Sequence, residues 1–131
     1  MNENKTEKLL KIISKLRDPS SGCEWTKSQT SKSLLPFILE ETKEIQEAFK
    51  KNDYENFKEE LGDLLLQIVL QSKIAEENKL FSFDEVIDTL CEKLIRRHPY
   101  VFKEKRPHTL EEQREAYFRI KDLEKSQRNL Y

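Results

Sequence analysis

The sequence predicts an all-α fold of about five helices, an antiparallel bundle whose core a second subunit completes. Three observations predict it. Five segments repeat apolar residues at the three-and-four spacing of a helix. Only 2 glycines and 4 prolines occur in 131 residues, too little turn chemistry for a sheet-rich fold. Hydrophobic residues make up 36% and charged residues 37%, which suits a small helical domain whose last apolar faces are covered by a partner chain. The length allows one domain with a real core, spanning 1–131.

The first helix is expected from about Thr6 to Leu16, where Leu9, Leu10, Ile12, Ile13 and Leu16 form a stripe. Asp18-Pro19-Ser20-Ser21-Gly22 ends it, and a loop runs to about Thr30 with the only tryptophan, Trp25, expected to seal one end of the core. Ser33 is the expected N-cap of the second helix, with Pro36 in its first turn, where a missing N–H costs little. That helix ends near Lys50. Asp53 is placed to cap a third helix, Tyr54 to about Asn78. So short a connection makes these two helices antiparallel neighbours. Gly62 inside the third helix points to a close helix crossing.

Ser82 with Glu85 reads as a capping box and Phe81 with Val86 as a hydrophobic staple, opening a fourth helix that Pro99 stops. Tyr100 to His108 reads as a loop. Thr109 and Glu112 form another capping box, and a fifth helix runs to about Ser126.

Net charge is −1, and no basic excess marks a nucleic-acid or membrane partner. No apolar run approaches ~18 residues, and Met-Asn-Glu-Asn-Lys has no signal-peptide core, so a cytoplasmic protein is expected. Cys23 and Cys91 lack metal-ligand spacing and read as free thiols.

The chemistry lies on the second and third helices. Glu41 and Glu44 are one turn apart, and so are Glu60 and Asp63. In the second helix Leu34, Leu35, Phe37, Ile38, Leu39, Ile45, Ala48 and Phe49 make one broad stripe. Glu41 falls inside it, Glu44 on its edge and Glu40 further round, whereas Lys43 and Lys50 lie opposite. In the third helix Leu64, Leu65, Leu66, Ile68, Val69 and Leu70 wrap almost the whole circumference, which predicts burial on most sides. One polar line remains there: Glu60, Asp63, Gln67 and Gln71. Two carboxylates ~4 Å apart repel by ~4 kcal/mol at an effective dielectric near 20. Their pKa values must rise, or a cation must join them. Hard oxygen donors without Cys or His suit Mg²⁺ or Mn²⁺. A di-iron bundle would need Glu-x-x-His, which neither His98 nor His108 supplies. The fourth helix ends with Lys93, Arg96, Arg97 and His98. Lys93 and Arg97 share a face and read as phosphate ligands.

Leu16-Arg17-Asp18-Pro19, Gly22-Cys23, Trp25, Gln29-Thr30, Leu39-Glu40-Glu41, Glu44, Glu59-Glu60-Leu61-Gly62-Asp63-Leu64-Leu65, Lys93-Leu94, Arg96-Arg97-His98-Pro99 and Val101-Phe102 together resemble the MazG family of nucleoside triphosphate pyrophosphohydrolases. The resemblance covers about residues 9–125 and includes the complete Glu-Glu-x-x-Glu, spacer, Glu-x-x-Asp motif. It implies an all-α bundle paired between subunits, as a dimer or tetramer, and Mg²⁺-dependent hydrolysis of NTPs to NMP and pyrophosphate. Glu41, Glu44, Glu60 and Asp63 would ligate metal, and Glu40 would orient or deprotonate the attacking water. Lys93 and Arg97 would contact the triphosphate. Tyr117 and Lys121 stand where the family usually has Trp and Lys, a departure that bears on base stacking. Glu24 replaces a common Pro. A specialised dUTPase- or dCTPase-like enzyme, a phosphoribosyl-ATP pyrophosphohydrolase and a non-catalytic nucleotide- or partner-binding module are the alternatives.

Overall fold

The computed structural model describes residues 2–104 and 106–128. All regular structure among them is helical: α1 (Lys5–Leu16), α2 (Glu24–Ser28), α3 (Ser31–Lys50), α4 (Tyr54–Glu77), α5 (Phe83–Arg97), α6 (Pro99–Phe102) and α7 (Leu110–Arg128). The five long helices are those the periodicity predicts. The two short ones fall in expected loops. A single turn buries too few apolar residues to leave a periodic signal.

The chain forms two compact units that divide between Phe83 and Asp84. In the first, α4 packs against α3 and α1. Ile13, Leu34, Val69, Leu70 and Ile74 make its core, with Leu9, Leu10, Leu66 and Phe83 against them. Asp53 caps α4 as expected, its carboxylate accepting from Asn56 N at 3.2 Å. The α3–α4 turn is tight because Asn52 adopts a left-handed φ of 55°. There Asp53 N donates to Ala48 O and Asn52 N to Phe49 O, both at 3.1 Å, which satisfies the last carbonyls of α3. This turn fixes how the acidic segments of α3 and α4 align.

Arg17 ties the end of α1 to two other elements. Its Nε and Nη2 donate to Glu77 at 2.8 Å each, and Nη1 donates to the carbonyls of Thr26 and Gln29 at 2.7 and 3.2 Å. It thereby closes the C-terminal end of α2, where Thr26 O otherwise accepts, among the described residues, only the 3.3 Å bond from Gln29 N.

Several expectations are corrected. The cap of α3 lies three residues earlier than expected, because Thr30 is the cap and Ser33 is its reciprocal partner: Ser33 N donates to Thr30 Oγ1 and Thr30 N to Ser33 Oγ. Pro36 consequently lies in the second turn, where it removes a helical hydrogen bond. Trp25 is 52% exposed and packs edge-on against Phe37 rather than sealing the core. Gly62 has no close crossing with the described residues of this chain, since a Cβ there would meet nothing within 4 Å. Within this chain α4 is buried on only part of its circumference, with Leu61, Leu65 and Ile68 exposed.

In the second unit Thr109 and Glu112 form the expected reciprocal cap of α7. Neither α5 nor α7 contributes a fully buried residue.

Candidate metal centre

The acidic site is built by register. Positions 41 and 44 are one turn apart on α3, positions 60 and 63 one turn apart on α4, and the tight turn at Asn52 runs the two helices antiparallel. Glu41, Glu60 and Asp63 each offer a carboxylate oxygen, and these lie within 4.8 Å of one another. Glu44 lies outside this trio, close enough to Glu60 to be raised by it. Glu40 is exposed and lies outside this trio, though its charge reaches Glu44.

The electrostatics follow from the crowding. Glu41 is pushed up chiefly by burial, with the charges of Glu44 and Asp63 adding to it. Glu44 is raised first by its contact with Glu60, then by desolvation. Glu60 is raised first by its contact with Glu41. No cation in the described residues offsets them by an ion pair. Oε2 of Glu41 and Oε2 of Glu60 are buried with no hydrogen-bond partner among the described residues. An unpartnered buried carboxylate oxygen costs about 1–3 kcal/mol or more. Two of them facing the same acidic cluster fit a hard divalent cation, which oxygen-only donors select.

The rest of the polar line on α4 divides. Gln71 Nε2 donates to the Ser31 carbonyl at 2.9 Å, a structural tie to the start of α3. Gln67 is 7% exposed, and its Oε1 has no partner among the described residues.

The second unit brings Arg97 and Tyr117 together: Arg97 Nη1 donates to Tyr117 Oη at 3.3 Å, and the guanidinium lies 5.5 Å from the ring centroid. Lys93 and Arg97 line one groove on this unit. Lys93 and Lys121 make no ion pair with the described residues, whereas Arg97 is bound by Glu124 at 2.8 Å. The sequence reading passed over Glu124. Its signal is spacing: Tyr117, Lys121 and Glu124 stand four and seven apart, on one face of α7.

Comparison with known proteins adds to this geometry. Residues 29–102 match the MazG nucleotide pyrophosphohydrolase domain. The chain is 38% identical, over 95% of its length, to the nucleoside triphosphate pyrophosphohydrolase of Escherichia coli K12. It is 51% identical, over 73% of its length, to the nucleoside triphosphate pyrophosphohydrolase/pyrophosphatase MazG of Thermotoga maritima. It spans 48% and 37% of those two proteins. The crystal structure of a mazG-related protein from Thermotoga maritima superposes with a TM-score of 0.74 at 32% identity, covering 88% of this chain and 98% of that one.

Proposed function

Because the chain belongs to the MazG nucleotide pyrophosphohydrolase family, we propose that it hydrolyses nucleoside triphosphates at the α-phosphorus to nucleoside monophosphate and pyrophosphate, clearing the nucleotide pool. The observation that carries the reading is the cluster of Glu41, Glu60 and Asp63, with two buried oxygens left unpartnered.

Glu41, Glu44, Glu60 and Asp63 would hold Mg²⁺, with Mn²⁺ able to replace it. When bound, such an ion supplies positive charge to phosphate oxygens and lowers the pKa of water. Glu40 is exposed beside the cluster, where a carboxylate accepts the proton of the attacking water. Lys93 and Arg97 balance the charge of the departing pyrophosphate. Tyr117 offers a smaller stacking face than Trp, and Lys121 follows it by one turn.

The active form in this reading is a homo-oligomer. Leu61, Leu65 and Ile68 are exposed on α4, and Gly62 among them leaves open space where a second copy of the chain can approach closely. Light scattering then gives a multiple of 15.7 kDa, and a monomer at assay concentration refutes this part. The reading places the protein in the cytoplasm, where exposed thiols such as Cys23 and Cys91 stay reduced.

A panel of eight common NTPs and dNTPs with MgCl₂, resolved by ion exchange, tests the reaction. NMP plus pyrophosphate, abolished by EDTA and by Glu41→Gln, is expected. NDP plus phosphate overturns it. Turnover confined to dUTP or dCTP identifies the specialised enzyme instead.

A further inference from the structure

The guanidinium of Arg97 makes three hydrogen bonds to two partners. Its Nε and Nη2 donate to Glu124 Oε2 at 3.0 and 2.8 Å, and Nη1 donates to Tyr117 Oη. The second oxygen of Glu124 accepts from Arg96 Nε at 2.6 Å. The side chains of Arg97 and Glu124 are only 11% and 14% exposed. This is a sequestered pair, unlike the solvated ion pair Lys58–Glu55.

One carboxylate therefore fixes two successive arginines. Unrestrained, residues 96 and 97 point ~100° apart on a helix. With Glu124 bridging them, both guanidinium groups are gathered onto the face that α7 presents through Tyr117 and Glu124. Arginine has five N–H donors. Glu124 takes two from Arg97 and Tyr117 takes one, which leaves two for an incoming anion.

We infer that Glu124 is a positioning residue for polyphosphate recognition: it clamps the inner edge of Arg97, so that the remaining N–H groups are presented to a phosphate in a fixed orientation. Preorganisation of this kind removes the cost of ordering a long side chain when the ligand binds. Glu124 sits at a pKa of about 2, held down first by its contact with Arg97 and then by Arg96, so the clamp is charged throughout the neutral range. Lys93 and Arg128 line the same groove and keep it cationic although Glu124 cancels one charge. The ligand class is the triphosphate of a nucleotide. The inference rests on the phosphate role proposed above for Arg97.

Calorimetric titration with inorganic tripolyphosphate and Mg²⁺ tests it without turnover. The proteins are the full-length wild type, E124Q, E124D, R97A and the double variant R97A/E124Q. About tenfold weaker binding is expected for E124Q, partial recovery for E124D, and no further loss when E124Q is added to R97A. A structural role would instead lower the melting temperature and add to R97A. Unchanged or tighter binding in E124Q overturns the inference, because Glu124 would then only compete with phosphate. Equal losses in both backgrounds, or no tripolyphosphate binding by wild type, also overturn it. If E124Q melts below the assay temperature, E124D and the double variant R97A/E124D carry the test, with a loss expected only where Arg97 is present. The expected pattern in a protein that hydrolyses no NTP would reject the enzymatic proposal and leave the clamp standing.

Discussion

Glu41 on α3 and Glu60 on α4 bring carboxylate oxygens within 4.8 Å of each other, and each keeps a buried Oε2 that no described donor meets. Glu41 is raised from its ordinary value chiefly by burial, and Glu60 chiefly by its contact with Glu41. A carboxyl with a raised folded-state pKa favours folding when protonated and opposes it once pH rises through that pKa. The metal-free protein is thus strained at neutral pH by the groups proposed to bind metal.

Glu41→Gln removes one of these charges. Thermal unfolding in EDTA at pH 7.5 is expected to show a midpoint about 4 °C higher, the shift that about 1 kcal/mol gives in a domain of this size. The gain should shrink as pH falls and Glu41, whose pKa is raised, takes up a proton. A large drop in midpoint would mean that Glu41 makes a structural bond.

A divalent cation that binds only the folded state raises the melting temperature with concentration. Mg²⁺ is expected to stabilise the wild type by several degrees at millimolar levels, and Mn²⁺ likewise. Asp63→Asn and Glu60→Gln should lose most of that response while melting at or above the wild-type midpoint in EDTA. An equal response in the variants would place the ion elsewhere.

Arg17, with a side chain 9% exposed, holds Glu77 and two carbonyls at once. Arg17→Met takes the charged partner from Glu77 and the guanidinium donor from both carbonyls, and is expected to cost about 2–4 kcal/mol in urea unfolding. Glu77 is lowered, first by its hydrogen bonds to Arg17. A depressed carboxylate stabilises the fold above its unfolded pKa and loses that effect as pH falls through the folded one. The wild type should therefore lose more stability than Arg17→Met between about pH 5 and pH 3. Parallel curves would exclude the ion pair as a source of acid sensitivity.

Gly22 has a steric role in the turn after α1. A Cβ there would meet Leu16 O, and would lie 2.6 Å from Asp18 O and 2.8 Å from Asp18 N, all backbone atoms. Gly22 N donates to Asp18 O and Cys23 N to Leu16 O, so the turn cannot relax without losing bonds. Gly22→Ala is expected to destabilise by about 1–3 kcal/mol, measured by the urea midpoint. A neutral outcome would show that the turn is softer than its hydrogen bonds imply.

The acidic cluster was legible because helical period and a short connection are both local, and together they set which carboxylates meet. The cap of α3 was misplaced because Thr30 and Ser33 are both good caps, and a reciprocal pair is resolved only by its geometry. The wrapped apolar pattern of α4 correctly marks residues that avoid water. It does not say whether this chain or another covers Leu61, Leu65 and Ile68. Glu124 escaped notice because its meaning lies in Arg96 and Arg97, 28 and 27 residues away in sequence, and no local pattern reports such a contact.

Hydrolysis in ¹⁸O-water tests the central claim most directly. With the wild type, Mg²⁺ and an NTP that it turns over, mass spectrometry should find one ¹⁸O in the nucleoside monophosphate and none in the pyrophosphate, since water attacks the α-phosphorus. Label in pyrophosphate or in free phosphate would contradict the account.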